Sequence, residues 1–265
     1  MYEYFAALII GIVEGLTEYI PVSSTGHMII VGDMIGFSGT KESVFEVFIQ
    51  LGAILSVLLI YRDKFKMMLR RENWFKKRGT SCYNLVCAML PAMAIGYLTH
   101  HFIKTYLFGW QTVVIGLILG GILMLFAERV NIRTRTADVD AITTKQAVLI
   151  GVFQVLSLWP GFSRSGSTIS GGLLLGISRK AAADFSFIMA APLMFVACTY
   201  DLLKIWRYLH WSDFGIFALG FVTAAVVAYA SVLWFLKFLN NSSLASFAYY
   251  RFALAVATCL YFWLL

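Results

Sequence analysis

GIVEGLTEYIPVSSTGHMIIVGDMIGFSGTKESVF, residues 11–45, returns without a gap as GVFQVLSLWPGFSRSGSTISGGLLLGISRKAAADF, residues 151–185. Gly11 meets Gly151, Leu16 meets Leu156, Ser23 meets Ser163 and Gly26 meets Gly166. Ile29, Gly32, Gly36, Ser38 and Phe45 fall on Ile169, Gly172, Gly176, Ser178 and Phe185. Each copy is an apolar run, a break with Pro21 or Pro160 followed by Ser and Gly, and a second short apolar run. Proline lacks an amide hydrogen and ends helices, while glycines such as Gly26, Gly161 and Gly166 permit sharp turns. Repeated apolar segments, broken and polar in the middle, point to a site near the centre of a bilayer.

The composition supplies that bilayer. Hydrophobic residues make up 60% of the chain and charged residues 13%, against about 25% charged in soluble domains. So much apolar surface needs lipid as its solvent, and residues 1–265 read as a single integral membrane domain. The net charge of +7 is concentrated in 62–81, where Arg62, Lys64, Lys66, Arg70, Arg71, Lys76, Lys77 and Arg78 face only Asp63 and Glu72. That clustering is what an inside loop carries, so no nucleic-acid partner is expected. Cys82, Cys87, Cys198 and Cys259 lie in or beside apolar segments and read as small hydrophobes, not as a disulfide or metal framework. The first apolar run contains Glu14 and Glu18 and lacks a basic start, so it reads as part of the repeat and not as a cleavable signal.

The segments about 44–61, 82–99, 106–127, 184–203, 214–236 and 247–265 are each close to the roughly 20 apolar residues a span requires. About 4–36 and 145–177 are broken halves too short to cross alone, and predict re-entrant helix–loop–helix hairpins. Irregular backbone at that depth is tolerated only where protein or a wet cavity covers it. With 62–81 inside, 100–105 lies outside. Loop 128–145, holding Arg129, Arg133, Arg135 and Lys145 against Glu128, Asp138 and Asp140, is again inside. The first hairpin then enters from outside and the second from inside, where Arg179 and Lys180 mark its exit. The expected fold is an all-α polytopic membrane protein of two inverted-topology repeats, approximately 1–127 and 145–265. Each repeat is a re-entrant hairpin plus three transmembrane helices, and the two tips meet in mid-membrane.

The first tip offers Glu14, Glu18, Ser23, Ser24, Thr25, Gly26 and His27. Glu14 and Glu18 are four apart and share one helix face. Two carboxylates in an apolar helix need a cation, a proton or an opposing arginine, which suggests a divalent metal or a general base; the plainer alternative is a packing ion pair with Arg164. The second tip offers Ser163, Arg164, Ser165, Gly166, Ser167 and Thr168. An arginine fork suits phosphate oxygens, and each tip opens an apolar helix, from about Met28 in the first, whose N-terminal amides attract anions. The expected ligand is a phosphate or pyrophosphate, although any one serine serves equally as a helix cap. His27 is a candidate nucleophile or proton shuttle. His100, His101 and His210 read as interfacial loop residues, and Tyr249, Tyr250 and Arg251 as an interfacial anchor.

EGLTEYIPVSSTGH at 14–27 and PGFSRSGSTI at 160–169 resemble the two signatures of bacterial undecaprenyl pyrophosphate phosphatases of the bacitracin-resistance type, and the resemblance runs the full length, including FEVFIQLGAIL at 45–55. It implies removal of the terminal phosphate from undecaprenyl pyrophosphate, which recycles the lipid carrier for cell-wall polymers and confers bacitracin resistance. It further implies a divalent cation, magnesium or calcium, and a site at the outer face of the bacterial cytoplasmic membrane; Glu14 and Glu18 would hold the ion or activate the nucleophile. Glu14, Glu18, Ser24, His27 and Arg164 match the family's implicated catalytic residues. Ser23, Thr25, Gly26, Ser163, Ser165, Gly166, Ser167 and Thr168 surround them as candidate substrate contacts. His27 is the preferred nucleophile, with Ser24 and water open. Partners are the lipid substrate and membrane lipids, with a homodimer left open. The rival reading is a lipid-phosphate flippase or ion-coupled transporter, since many secondary transporters share broken helices in inverted repeats.

Overall fold

The computed structural model describes residues 2–37, 40–130, 132–205 and 213–264; Ser38 and His210 lie outside them. The described residues form helices α1 (Tyr2–Thr17), α2 (Ser24–Met34), α3 (Thr40–Ile60), α4 (Arg62–Leu69), α5 (Cys82–Phe102), α6 (Trp110–Val130), α7 (Thr144–Val155), α8 (Arg164–Leu174), α9 (Arg179–Ile205), α10 (Phe214–Leu239) and α11 (Ala245–Leu264). Among the described residues, five stretches are long and apolar enough to cross a membrane: Cys82–Leu107, Trp110–Val130, Arg179–Leu203, Phe214–Leu239 and Ala245–Leu264. Val44–Ile60 makes a sixth together with Arg62–Leu69, from which it is bent by 81°. These are the six segments expected from hydropathy. Among the described residues no strand forms, only isolated bridges between Arg78 and Thr143 and between Thr136 and Ile177.

The two broken regions are hairpins. The Tyr2 hydroxyl, in the first turn of α1, donates to the carbonyl of Ile35, just past the end of α2. The Gln146 amide, in the first turn of α7, donates to the carbonyl of Leu175, just past α8, at 3.3 Å. Ile35 and Leu175 occupy equivalent repeat positions, so each chain returns to the level at which it entered. At the start of α7, Thr143 and Gln146 form a capping box, in which each side chain satisfies the other's backbone amide.

Packing of the entering arms is reciprocal. Arm α1 from the first repeat lies on α10 from the second, and α7 from the second lies on α5 from the first. The repeat-paired glycines explain the close approach. A Cβ on Gly11 would meet the Gly220 carbonyl at 2.9 Å, and one on Gly151 would meet the Ala88 carbonyl at 2.1 Å. Without a hydrophobic drive between helices in lipid, such small-residue contacts supply the packing. Gly151→Ala is therefore expected to destabilise the α5–α7 contact by about 1–3 kcal/mol. A thermal midpoint equal to wild type in detergent would contradict this reading of the interface.

Four expectations change. The returning helices start at Ser24 and Arg164, not near Met28, because Ser23 and Ser163 cap them; the tip hydroxyls thus fall inside the first helical turn. His100 and His101 belong to the last turn of α5, not to a loop. All four cysteines are free, but only Cys198 is buried, and Cys259 is exposed. Arg251 is no interfacial anchor: it lies at 0% exposure in the core.

Candidate active site

Each tip turns on one serine. Ser23 (φ 72°, ψ 95°) and Ser163 (φ 73°, ψ 119°) are the non-glycine residues with positive φ among those described. This backbone region costs of order 1–3 kcal/mol per residue and persists only where the surroundings enforce it. The geometry reverses the chain after the proline and aims the serine back at its own helix. Ser23 Oγ accepts from the Gly26 amide at 3.3 Å, and Ser163 Oγ from the Gly166 amide at 3.2 Å. Gly161, at φ 90°, tightens the second break further, and Trp159 ties it to α6 by donating to the Thr112 carbonyl at 2.8 Å.

Between the tips lies a cleft of about 230 Å³. Glu18, Ser23, Ser24 and Thr25 line it from the first hairpin, and Ser157, Trp159, Pro160, Gly161, Ser163 and Arg164 from the second. Gln50 of α3 and Met194 of α9 close it. Glu18 joins the two sides. Its Oε2 accepts from Ser24 Oγ at 2.6 Å, and its Oε1 lies 3.3 Å from Arg164 Nη2. The Arg164 fork also reaches the Ser186 carbonyl at 3.4 Å, and its plane stands 5.5 Å from the centre of the Tyr19 ring. Carboxylate and guanidinium are 9% and 12% exposed, so this pair is screened far less than a surface pair. The ion pair weighed against a functional role does form, but it lines a hydroxyl-bearing cleft.

Glu14 lies one turn behind, 1% exposed, with Oε1 lacking a hydrogen-bond partner. Its carboxyl is beside that of Glu18, and Glu46 of α3 is close enough to act on it electrostatically. A buried carboxyl oxygen without a donor fits an oxygen-seeking cation, and Mg²⁺ is commonly held by one or two carboxylates plus substrate phosphates. Among the described residues no group of three or more His, Cys, Asp or Glu could hold a metal ion unaided.

The other expected site residues separate into two groups. His27 does not line the cleft. Its Nδ1 is 2.8 Å from the Ser23 carbonyl, which only accepts, so Nδ1 carries the proton. Nε2 then accepts from the Tyr250 hydroxyl at 2.8 Å, with the two rings stacked 5.7 Å apart. Ser165, Ser167 and Thr168 are wholly buried and face the bundle. Ser167 Oγ donates to the Ser163 or Arg164 carbonyl, both at 3.0 Å, and Thr168 Oγ1 bonds Ser186 Oγ at 2.6 Å. Ser165 Oγ pairs with Ser163 Oγ at 3.2 Å. Gly26 and Gly166 serve as the capped amides. Gln50 and Glu46 were not singled out from the sequence, and Tyr250 was read there as an interfacial anchor. The signal for Glu46 and Gln50 was polar side chains four apart inside an apolar span, the same pattern that singled out Glu14 and Glu18.

These features define a polytopic helical membrane protein whose polar cleft is built by two hairpin tips. The family model described as "Bacitracin resistance protein BacA" matches residues 7–257. The chain is 46% identical over 262 residues to "Undecaprenyl-diphosphatase 1" of Bacillus thuringiensis subsp. konkukian (strain 97-27) and of Bacillus anthracis, covering 97% of each chain. The protein of that name from Bacillus thuringiensis (strain Al Hakam) is likewise 46% identical over 262 residues, with 97% of this chain and 97% of the relative covered. The chain belongs to the bacitracin resistance protein BacA family.

Proposed function

We propose that the protein hydrolyses undecaprenyl pyrophosphate to undecaprenyl phosphate and inorganic phosphate, so regenerating the lipid carrier for cell-wall synthesis and conferring bacitracin resistance. Family membership and the full-length relatives named undecaprenyl-diphosphatase support this reading. The observation that carries it is the Ser24–Glu18–Arg164 contact across the two tips. Phosphoryl transfer is largely positioning and charge stabilisation, and this contact assembles a hydroxyl, a base and a phosphate-binding fork. Helix N-termini on both sides add amides for the anion.

Ser24 is the hydroxyl with a base in reach. Its Oγ attacks the terminal phosphorus, its proton passes to Glu18, and the bond to the bridging oxygen breaks, so that undecaprenyl phosphate leaves. Water then releases phosphate from Ser24. Arg164, freed from Glu18 as that carboxylate takes the proton, grips the transferring oxygens. The preference for His27 as nucleophile gives way here, because its available lone pair is engaged by Tyr250. Glu14, with Glu18 until it takes the proton, would hold a divalent cation, Mg²⁺ or Ca²⁺, which when bound supplies positive charge to the pyrophosphate. The reading places the protein in the bacterial cytoplasmic membrane, with two inverted repeats and the cleft open to the outer face.

Detergent-purified protein should release phosphate from undecaprenyl pyrophosphate. A flippase or ion-coupled transporter has no vectorial work in detergent, and absence of release would favour that alternative. Glu14→Gln and Glu18→Gln should each slow turnover about tenfold and raise the metal concentration required. The double variant should lose much less than the product of the two, because groups acting as one unit are non-additive. Full additivity with an unchanged metal optimum excludes a shared ion.

A further inference from the structure

We infer that Arg251 is a positioning residue that holds both hairpin tips in register by gripping their backbone; the inference rests on the hydrolase reading above. Arg251 lies on α11, far in sequence from either tip, and is completely buried. Its Nε donates to the Leu117 carbonyl at 3.1 Å. Nη1 donates to Phe162 O at 2.8 Å and reaches Pro21 O at 3.5 Å. Nη2 donates to Gly116 O at 2.9 Å and Gly161 O at 2.8 Å. A guanidinium has five N–H donors in a fixed fork, and here five backbone oxygens meet them. Among the described residues its remaining polar contact is Met124 Sδ, at 3.9 Å.

The oxygens are not scattered. Pro21 belongs to the first break, Gly161 and Phe162 to the second, and Gly116 and Leu117 to α6, so one side chain joins three segments. Pro21 precedes Ser24 by three residues, and Phe162 precedes Arg164 by two. Fixing those carbonyls fixes where the hydroxyl and the fork enter the cleft. The pocket around the guanidinium is shaped for it: a Cβ on Gly120 would stand 2.2 Å from Nη2, and one on Gly166 3.1 Å from Nη1. Neighbouring Tyr250 holds His27 of the first tip, so α11 grips that tip by side chain as well as by backbone. A buried cation is costly unless paired or fully hydrogen-bonded. One spent wholly on the carbonyls of two catalytic turns serves their mutual alignment, and misplacement of reacting groups by about 1 Å can cost about a hundredfold in rate.

The test measures phosphate release from undecaprenyl pyrophosphate by full-length Arg251→Lys and Gly120→Ala proteins, with kcat and KM taken separately and normalised to folded protein. Lysine keeps the charge but cannot span the three segments. The alanine methyl, 2.2 Å from Nη2 and 2.5 Å from Phe162 O, parts the fork from the carbonyl it grips while leaving Arg251 in the chain. Each variant should lower kcat by about tenfold or more with little change in KM, since a positioning residue touches no substrate atom. The Arg251→Lys loss should also shrink in an Arg164→Lys background, where alignment no longer matters. Wild-type kcat in either folded variant, or full additivity with Arg164→Lys, overturns the inference. Failure of both variants to yield folded protein overturns it in favour of a purely structural role. Wild-type protein that releases no phosphate counts against the hydrolase reading instead.

Discussion

Ser24→Ala should reduce phosphate release by at least about a hundredfold, roughly 2.7 kcal/mol of transition-state stabilisation. Ser24 Oγ lies 2.6 Å from Glu18 Oε2, within reach for proton transfer. The substitution removes the attacking atom and leaves the tip intact, because the cap of α2 is the neighbouring Ser23. His27→Gln should cost less, since the imidazole is held outside the cleft between the Ser23 carbonyl and Tyr250. The two nucleophiles also leave different traces. Phosphoserine survives acid, whereas phosphohistidine does not, so acid-quenched wild-type enzyme should retain label from the terminal phosphate and Ser24→Ala should not. Turnover near wild type in Ser24→Ala, or an acid-labile adduct in the wild type, would sink the assignment to Ser24.

Arg164→Lys should lower kcat by about a hundredfold, the range found when one preorganised donor to a developing charge is removed. The change keeps the charge but loses the planar fork. In the resting structure one arm of that fork contacts Glu18 and the other the Ser186 carbonyl. An ammonium cannot keep the second anchor while turning the first toward phosphate. Stability should change little, since Ser163 still caps α8. Wild-type kcat in folded Arg164→Lys protein would remove Arg164 from the phosphate site and leave it as a packing partner of Glu18.

Much of this was legible in one dimension. Hydropathy placed the six long segments, because a bilayer demands runs of near-uniform apolarity and tolerates little else. The ungapped match of 11–45 to 151–185 located both hairpins, and Pro21 and Pro160 marked their breaks. Polar side chains in apolar runs pointed to Glu14, Glu18 and Arg164 for the same physical reason. The start of α2 was misplaced by a few residues, because hydropathy does not register that Ser23 caps the returning helix.

The sequence by itself determined that the chain is a polytopic helical membrane protein with a pair of polar tips, since lipid restricts backbone choices severely. Only the tertiary structure decided which tip residues share the cleft. Rotation about α8 turns Ser165, Ser167 and Thr168 into the bundle, while Ser163 and Arg164 face the cleft, and hydropathy is blind to that rotation. Contacts between distant segments were equally hidden. Arg251 looked like an interfacial charge because nothing local shows that five carbonyls from three other segments converge on it. A buried cation is tolerable only where the fold brings such oxygens together, and that convergence exists only once the helices have packed.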